Sequence, residues 1–365
     1  MNILIVTRFV HNNYGPWVDL LLSAGYTITF LSLGKNTLGH PRVKVISVPP
    51  RNLPWHLKKI RPFRVIFKKD VGILDLIGIL DSERPDIIIC RELSFVNFKI
   101  SVLARVKNPR PKVIFYDQRD VNSTHKFRAL AKIFISRKIF TPCCEDYEKE
   151  KSRVLPAKVI PFACMCKTSI NDLALKYSNI CDRRVRVISV GKLYFEKYNF
   201  SALFDSLTTE LIQEVEIIIV GRSRSTACEV EAEIDRRANE INSAGGAVTI
   251  YKNLSHDKVE DLLNSADVML LPGYDQVASY SQFEGLSFGL PVIICKENGT
   301  AYAIKERYNG LLVDRTAESI GNALSWMVKN RNEMKEMAIH SLCRAEDQFS
   351  YTAVRERFQD LFSSR

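Results

Sequence analysis

Short apolar runs rich in isoleucine and valine recur along the chain. Between them lie stretches whose apolar positions return every three or four residues. In the first half the runs cover residues 2–7, 27–32, 43–48, 86–90, 112–116 and 158–161. Near-continuous apolar runs of this length predict strands buried on both faces. Helical spacing covers residues 17–24, 96–105 and 127–138. The second half repeats the alternation, with strands expected at 185–190, 215–220, 247–251, 268–271 and 291–295 and helices at 199–211, 228–244, 257–265 and 316–330. Strands alternating with helices imply parallel βαβ units. No short-period repeat or low-complexity tract breaks the pattern, and the polar stretch 167–184 reads as a linker. Periodicity alone therefore predicts an α/β chain of two doubly wound domains with a cleft between them. Ligands of such sheets bind beyond the carboxyl ends of the strands.

Composition narrows the class. With 365 residues, 46% hydrophobic and 25% charged, the chain is ordinary globular material, which excludes disorder and collagen-like repeats. The length suits two domains, each with its own core. The longest apolar run, 71–80, is broken by Asp75 and falls short of the ~18 residues that cross a bilayer. The opening residues have no basic n-region and read as a first buried strand rather than a signal peptide. Nine cysteines lack Cys-x-x-Cys spacing, so reduced thiols of a cytosolic protein and no metal site are expected. Charge is divided unevenly. Residues 1–180 carry 30 Lys and Arg against 14 acids, a net of +16, and residues 181–365 carry 22 against 27, a net of −5. Such asymmetry points one half toward a polyanion or an anionic surface.

Three stretches of the second half carry a family resemblance. They are Gly191-Lys192-Leu193-Tyr194-Phe195-Glu196-Lys197, then Leu254-Ser255-His256-Asp257 running on to Ala266-Asp267-Val268-Met269-Leu270-Leu271-Pro272, then Phe283-Glu284-Gly285 through Gly289-Leu290-Pro291-Val292-Ile293 with Asn309-Gly310-Leu311-Leu312-Val313. In this order they resemble the family 4 (group 1) glycosyltransferases of the GT-B fold, over residues 185–315. The N-terminal half fits more loosely, through residues 1–7, Pro85-Asp86-Ile87-Ile88 and Asp117-Gln118-Arg119-Asp120. The resemblance implies two doubly wound Rossmann-like domains facing each other across a cleft. Residues 1–170 would bind the acceptor and 185–345 the nucleotide sugar. A C-terminal helix within 346–365, opening at Phe349-Ser350-Tyr351, would cross back to the N-terminal domain.

Transfer from a nucleotide sugar builds negative charge on the departing diphosphate. That charge can be met by cations, backbone N–H groups and a helix N-terminus. Lys192 and Lys197, in the loop after a strand at Gly191, can converge on one pyrophosphate. By resemblance Glu284 accepts hydrogen bonds from the two ribose hydroxyls, a task that suits two carboxylate oxygens. The backbone of Ser279, Tyr280 and Ser281 precedes its helix and offers a phosphate cradle. The sequence departs from the family at Gln276, where a glutamate usually contacts the donor sugar; Asp275 is beside it. Gly15 stands where a glycine pair is usual and lets backbone approach a phosphate or sugar, or simply turns. Arg119 replaces a usual histidine, with His125 six residues on. Asp117 and Asp120 follow a strand end and are candidates for acceptor contact or a base, or alternatively loop caps; Glu92 is a weaker candidate of the same type.

The positive half concentrates its charge in two segments. Residues 51–70 place Lys58, Lys59, Arg61, Arg64, Lys68 and Lys69 among Trp55, Leu57, Ile60, Phe63 and Phe67. Residues 125–138 add Lys126, Arg128 and Lys132 around Phe127, Leu130 and Phe134. Cations mixed with aromatics suit an anionic leaflet, at about 1 kcal/mol per cation; two amphipathic helices with solvated basic faces are the plainer alternative. No fingerprint of nucleic-acid binding accompanies the charge.

The expected function is transfer of a hexose from a nucleotide diphosphate sugar to a glycan acceptor, metal-independent and, by resemblance, retaining. The acceptor would be lipid-linked, in bacterial surface polysaccharide synthesis (lipopolysaccharide, O-antigen or capsule), at the inner face of the cytoplasmic membrane. No cofactor beyond the donor is expected, and no nucleic acid partner. A nucleotide-sugar epimerase on the same scaffold and a non-catalytic relative assisting a partner enzyme are the alternatives. A Rossmann dehydrogenase is disfavoured, since no Gly-x-Gly-x-x-Gly follows either first strand.

Overall fold

The isoleucine- and valine-rich runs form two parallel sheets, one in each of two units. The computed structural model describes residues 1–10, 14–34, 38–48, 71–91, 93–117, 133–136, 138–143, 157–193, 198–222, 228–273 and 278–363. Unit 1 comprises Met1–Ala163 and Val354–Arg365, and unit 2 comprises Cys164–Ala353.

Unit 1 runs β1 (Asn2–Thr7), α1 (Gly15–Ser23), β2 (Thr27–Ser32), β3 (Lys44–Ser47), α2 (Ile73–Glu83), β4 (Ile87–Arg91), α3 (Phe95–Val106), β5 (Lys112–Tyr116), β6 (Ile139–Thr141) and β7 (Ala157–Val159). Its seven strands lie in the order β3-β2-β1-β4-β5-β6-β7, all parallel. Five of the six β1 residues are buried, as two-sided cover by helices requires. Leu4, Val6, Ile88 and Phe115 from the strands pack with Val96 and Ile100 of α3. The side chain of Ser94 caps α3 by accepting from the Asn97 N–H, which satisfies one of the unpaired donors of the first turn.

Unit 2 runs α4 (Ile170–Lys176), β8 (Val185–Lys192), α5 (Phe200–Asp205), α6 (Leu211–Glu214), β9 (Val215–Arg222), α7 (Cys228–Ser243), β10 (Ala247–Lys252), α8 (His256–Ser265), β11 (Val268–Leu271), α9 (Tyr280–Ser287), β12 (Val292–Cys295), β13 (Gly310–Val313), α10 (Ala317–Lys329) and α11 (Arg331–Arg344). The six strands lie in the order β10-β9-β8-β11-β12-β13 and are parallel. At the amino end of β11 the fully buried Asp267 takes two bonds from the Arg183 guanidinium, at 2.6 and 2.8 Å, and one from the Arg186 N–H at 2.8 Å. A Cβ at Gly310 would lie 2.0 Å from the Val292 carbonyl oxygen, so only glycine lets β13 approach β12.

The last helix, α12 (Tyr351–Ser363), buries Val354, Phe358, Leu361 and Phe362. Its Phe358 ring meets Trp17 and Phe140 at 5.7 and 5.5 Å between centroids, and Asp360 pairs with Lys158 at 3.1 Å. The residues from Val354 onward thus pack with unit 1.

Several elements differ from the reading of the sequence. The expected linker 167–184 belongs to unit 2 and carries α4, which is stopped at its N-terminus by a reciprocal Ser169–Asp172 capping box. Of the stretch 199–211, only Phe200–Asp205 (α5) is helical, and the separate short helix α6 begins at Leu211. Of the expected helix 127–138, residues 133–135 are helical, 127–132 and 137 lie outside the described residues, and the chain then enters β6. Helices α2 and α11 and strands β6 and β13 were not expected. Among the described residues no helix is long and apolar enough to cross a membrane.

Candidate active site

Doubly wound sheets bind ligands where the strand order reverses. In unit 2 that point lies between β8 and β11, since β8 is followed by β9 on one side and has β11 on the other. Val187 and Ile188 pair with Val268 and Met269, and the same register continued sets Gly273 beside Lys192. Lys192 closes β8 and is exposed. Gly191 before it has a packing role: a Cβ there would lie 2.4 Å from the Tyr198 ring, so glycine admits that ring against the strand end.

Glu284 is the fifth residue of α9, in its second turn, and 16% of its side chain is exposed. His256, first residue of α8, places Nδ1 3.9 Å from Glu284 Oε1 and Nε2 3.3 Å from Glu260 Oε1. Lys167 pairs with the same Glu260 oxygen at 2.9 Å, and its N–H donates to the Ser287 carbonyl at 2.9 Å. Two further segments, that of Lys167 and helix α8, therefore meet around Glu284. Burial raises the pKa of Glu284 to about 7, the nearby Glu260 charge adds to the rise and Lys167 opposes it. A carboxyl poised there exchanges its proton near neutrality, and a ligand that hydrogen-bonds the charged form would favour ionisation.

The expected cradle at Ser279, Tyr280 and Ser281 needs correction. Ser279 is the N-cap and Tyr280 and Ser281 are already the first two residues of α9. The Ser279 N–H donates to Thr300 Oγ1 at 3.3 Å, and Thr300 Oγ1 donates in turn to Asn298 Oδ1 at 2.8 Å. That N–H thus holds the loop after β12 against α9. Gln282 is fully buried, and among the described residues neither its side-chain polar atoms nor Asn298 Nδ2 finds a hydrogen-bond partner. Asn309 is structural: it accepts from the Lys305 N–H at 2.7 Å and donates to the Ala303 carbonyl at 3.1 Å.

In unit 1 the order reverses between β1 and β4. Gly15 opens α1, ahead of Pro16, and a Cβ there would meet nothing within 4 Å, so the glycine leaves room rather than relieving a clash. Asp117 follows β5, is 4% exposed, and donates its N–H to the Phe140 carbonyl at 2.9 Å.

Residues 175–341, all within unit 2, match the family model for glycosyl transferases group 1. This stretch is similar to the group 1 glycosyl transferases over a little under half of the chain. The whole chain is similar in structure to the Anabaena protein HepE in complex with UDP, at 14% identity over 100% of both chains with a TM-score of 0.73. It is similar to a glycosyltransferase from Rickettsia africae at 15% identity, over 99% of this chain and 97% of that one, with a TM-score of 0.75. WaaG, a glycosyltransferase involved in lipopolysaccharide biosynthesis, is 12% identical over 100% of both chains, with a TM-score of 0.66. The fold is GT-B, with two Rossmann-like domains, as the motifs implied. Comparison with curated proteins finds no match.

The matched stretch contains both Lys192, at the carboxyl end of β8, and Glu284, in the second turn of α9. Lys197, Gln276 and Asp275 lie outside the described residues, as do Asp120, Arg119, His125 and Glu92 of unit 1. So do Lys58, Lys59, Arg61, Arg64, Lys68, Lys69, Lys126, Arg128 and Lys132. Among the described residues no cluster of three His, Cys, Asp or Glu side chains is placed to hold a metal ion. Four participants were not singled out from sequence: Tyr198, Thr300, Lys167 and Glu260. Each acts through a neighbour distant in the chain, and no local motif marks it.

Proposed function

We propose that this protein transfers a hexose from a nucleotide diphosphate sugar to a glycan acceptor, and that unit 2 holds the donor. The observation that carries the reading is the placement, inside the stretch that matches the group 1 model, of Lys192 at the carboxyl end of β8 and Glu284 on the helix following β11. An ammonium at the sheet's reversal point meets the charge that grows on the leaving diphosphate. Lys197 joins it, Glu284 receives the ribose hydroxyls and Gln276 contacts the sugar. The transfer is metal-independent, needs no cofactor beyond the donor and retains configuration. Because HepE is described with UDP, UDP-glucose is the first donor to test.

The acceptor is held by unit 1, near Gly15, Asp117 and Asp120. It is lipid-linked and belongs to bacterial surface polysaccharide synthesis at the cytoplasmic face of the membrane. The two basic, aromatic-rich segments of the sequence support this finer reading, together with the likeness to WaaG. Liposome sedimentation tests the membrane part: stronger binding to anionic than to neutral vesicles is expected, and equal binding refutes it. The transferase part is tested by UDP release from UDP-glucose, which should rise on addition of a glycan-lipid extract. Release that ignores the extract refutes it.

A further inference from the structure

Glu284 faces an imidazole to which the transfer reading gives no role. His256 opens α8 and is exposed, and its Nδ1 lies 3.9 Å from Glu284 Oε1. That separation is too long for a hydrogen bond. On the other edge of the ring Nε2 lies 3.3 Å from Glu260 Oε1, one turn further along the same helix. Glu260 is paired in turn with Lys167 Nζ at 2.9 Å, and the Lys167 backbone is tied to Ser287 of α9. The ring is therefore set beside the carboxylate from both α8 and α9. Among the described residues nothing donates a hydrogen bond to either Glu284 carboxylate oxygen.

A neutral imidazole carries its proton on one nitrogen and offers a lone pair on the other. A carboxylate only accepts, and Glu260 is the nearer of the two, so the proton sits on Nε2. Nδ1 is then an acceptor turned toward Glu284, and two acceptors face each other with no donor between them. Such a pair is complementary to a ligand that brings two O–H groups on adjacent atoms. We infer that His256 Nδ1 accepts a hydrogen bond from one hydroxyl of a vicinal diol whose other hydroxyl binds Glu284. Lys167 and Glu260 are positioning residues that keep Nδ1 facing the diol. With two separate acceptors, loss of either hydroxyl leaves one of them unpaired, which rejects the analogue that lacks it. The inference deepens the donor reading and rests on it for naming the diol a ribose; His256 is the added residue that tells ribose from deoxyribose.

Calorimetric titration of the full chain tests it at pH 8, above the value of about 7 to which burial raises Glu284. The probe is whichever of UDP, GDP and ADP binds most tightly, compared with its 2′-deoxy and 3′-deoxy analogues. The wild type should prefer the ribonucleotide about tenfold over at least one analogue, as loss of one paired hydroxyl costs. His256→Ala should cut that preference to about a third, since one acceptor of the pair is gone. His256→Asn, whose Oδ1 takes the place of Nδ1, should keep more of it than alanine does. Because the side chain is exposed, both variants should fold, which circular dichroism checks. A preference unchanged in His256→Ala overturns the inference and leaves Glu284 as the ribose contact. Equal loss in the alanine and asparagine variants overturns the role of Nδ1 as an acceptor. A wild type that binds all analogues equally, or none of the three nucleotides, overturns the ribose reading of Glu284 as well.

Discussion

The two units place a cation at the same topological position and hold it in opposite ways. In unit 2 Lys192 is exposed at a strand end, while the buried charge beside the site is a carboxyl, Glu284, pushed up to about 7. In unit 1 the cation itself is gripped, with Arg91 set against the Tyr14 and Tyr116 rings and bonded to a hydroxyl. An exposed ammonium suits a charge that develops and then departs, because it is rehydrated once the diphosphate leaves. A planar fork set against rings and bonded to a hydroxyl is held in one orientation. On the proposed reading, unit 2 meets the leaving diphosphate and unit 1 holds the acceptor.

The largest expected effect breaks the donor side alone. Lys192→Ala should lower kcat/KM for UDP-glucose by about 10²–10³-fold, ~3–4 kcal/mol, as loss of one oxyanion donor does. Steady-state kinetics check it, and a loss under threefold would remove Lys192 from the chemistry. Next, Thr300→Val leaves the Ser279 N–H without its acceptor, while Asn298 Oδ1 keeps its bond from the Thr300 N–H. Chemical denaturation should show a loss of about 1–3 kcal/mol, the cost of an unsatisfied buried group.

A smaller effect is expected at Glu284. The ionised carboxylate offers the acceptors, so UDP affinity should rise between pH 6 and pH 8 in the wild type. Glu284→Gln should flatten that dependence and weaken UDP by about tenfold, ~1.4 kcal/mol. The sign for stability is opposite. The raised pKa favours the neutral folded form, so this contribution is complete below about 4.5 and is lost as pH climbs through about 7. Smallest of all, Lys167→Ala removes the charge that lowers the Glu284 pKa. The midpoint of the UDP–pH curve should move upward, with kcat nearly unchanged above it; a downward move would contradict the assignment of that cluster.

Much of this was legible in the chain. Strands β1, β2, β5 and β11 have the bounds that their apolar runs predict, because a strand covered on both faces must be apolar throughout. Strand β6 is three residues long, too short for any period to register. Helix α11 buries Met334, Met337 and Ala338 within a polar sequence, which hides its stripe. The linker reading of 167–184 failed because α4 is short and buries only Leu173. Lys192 and Glu284 were found through motif spacing. The groups around Glu284 were not, since His256, Glu260 and Lys167 come from two further segments that meet it only on folding. Arg91 was passed over for a similar reason, as its partners Tyr14 and Tyr116 lie 77 and 25 positions away.

The central claim is that unit 2 grips the donor through its diphosphate, with Lys192 as the hand and Glu284 on the ribose. Calorimetric titration of the full chain with UDP and with UMP tests it most directly, in the wild type and in Lys192→Ala. The wild type should bind UDP at least tenfold more tightly than UMP, and the substitution should close that gap while leaving UMP affinity nearly unchanged. A Lys192→Ala protein that keeps the full preference for UDP would contradict the account.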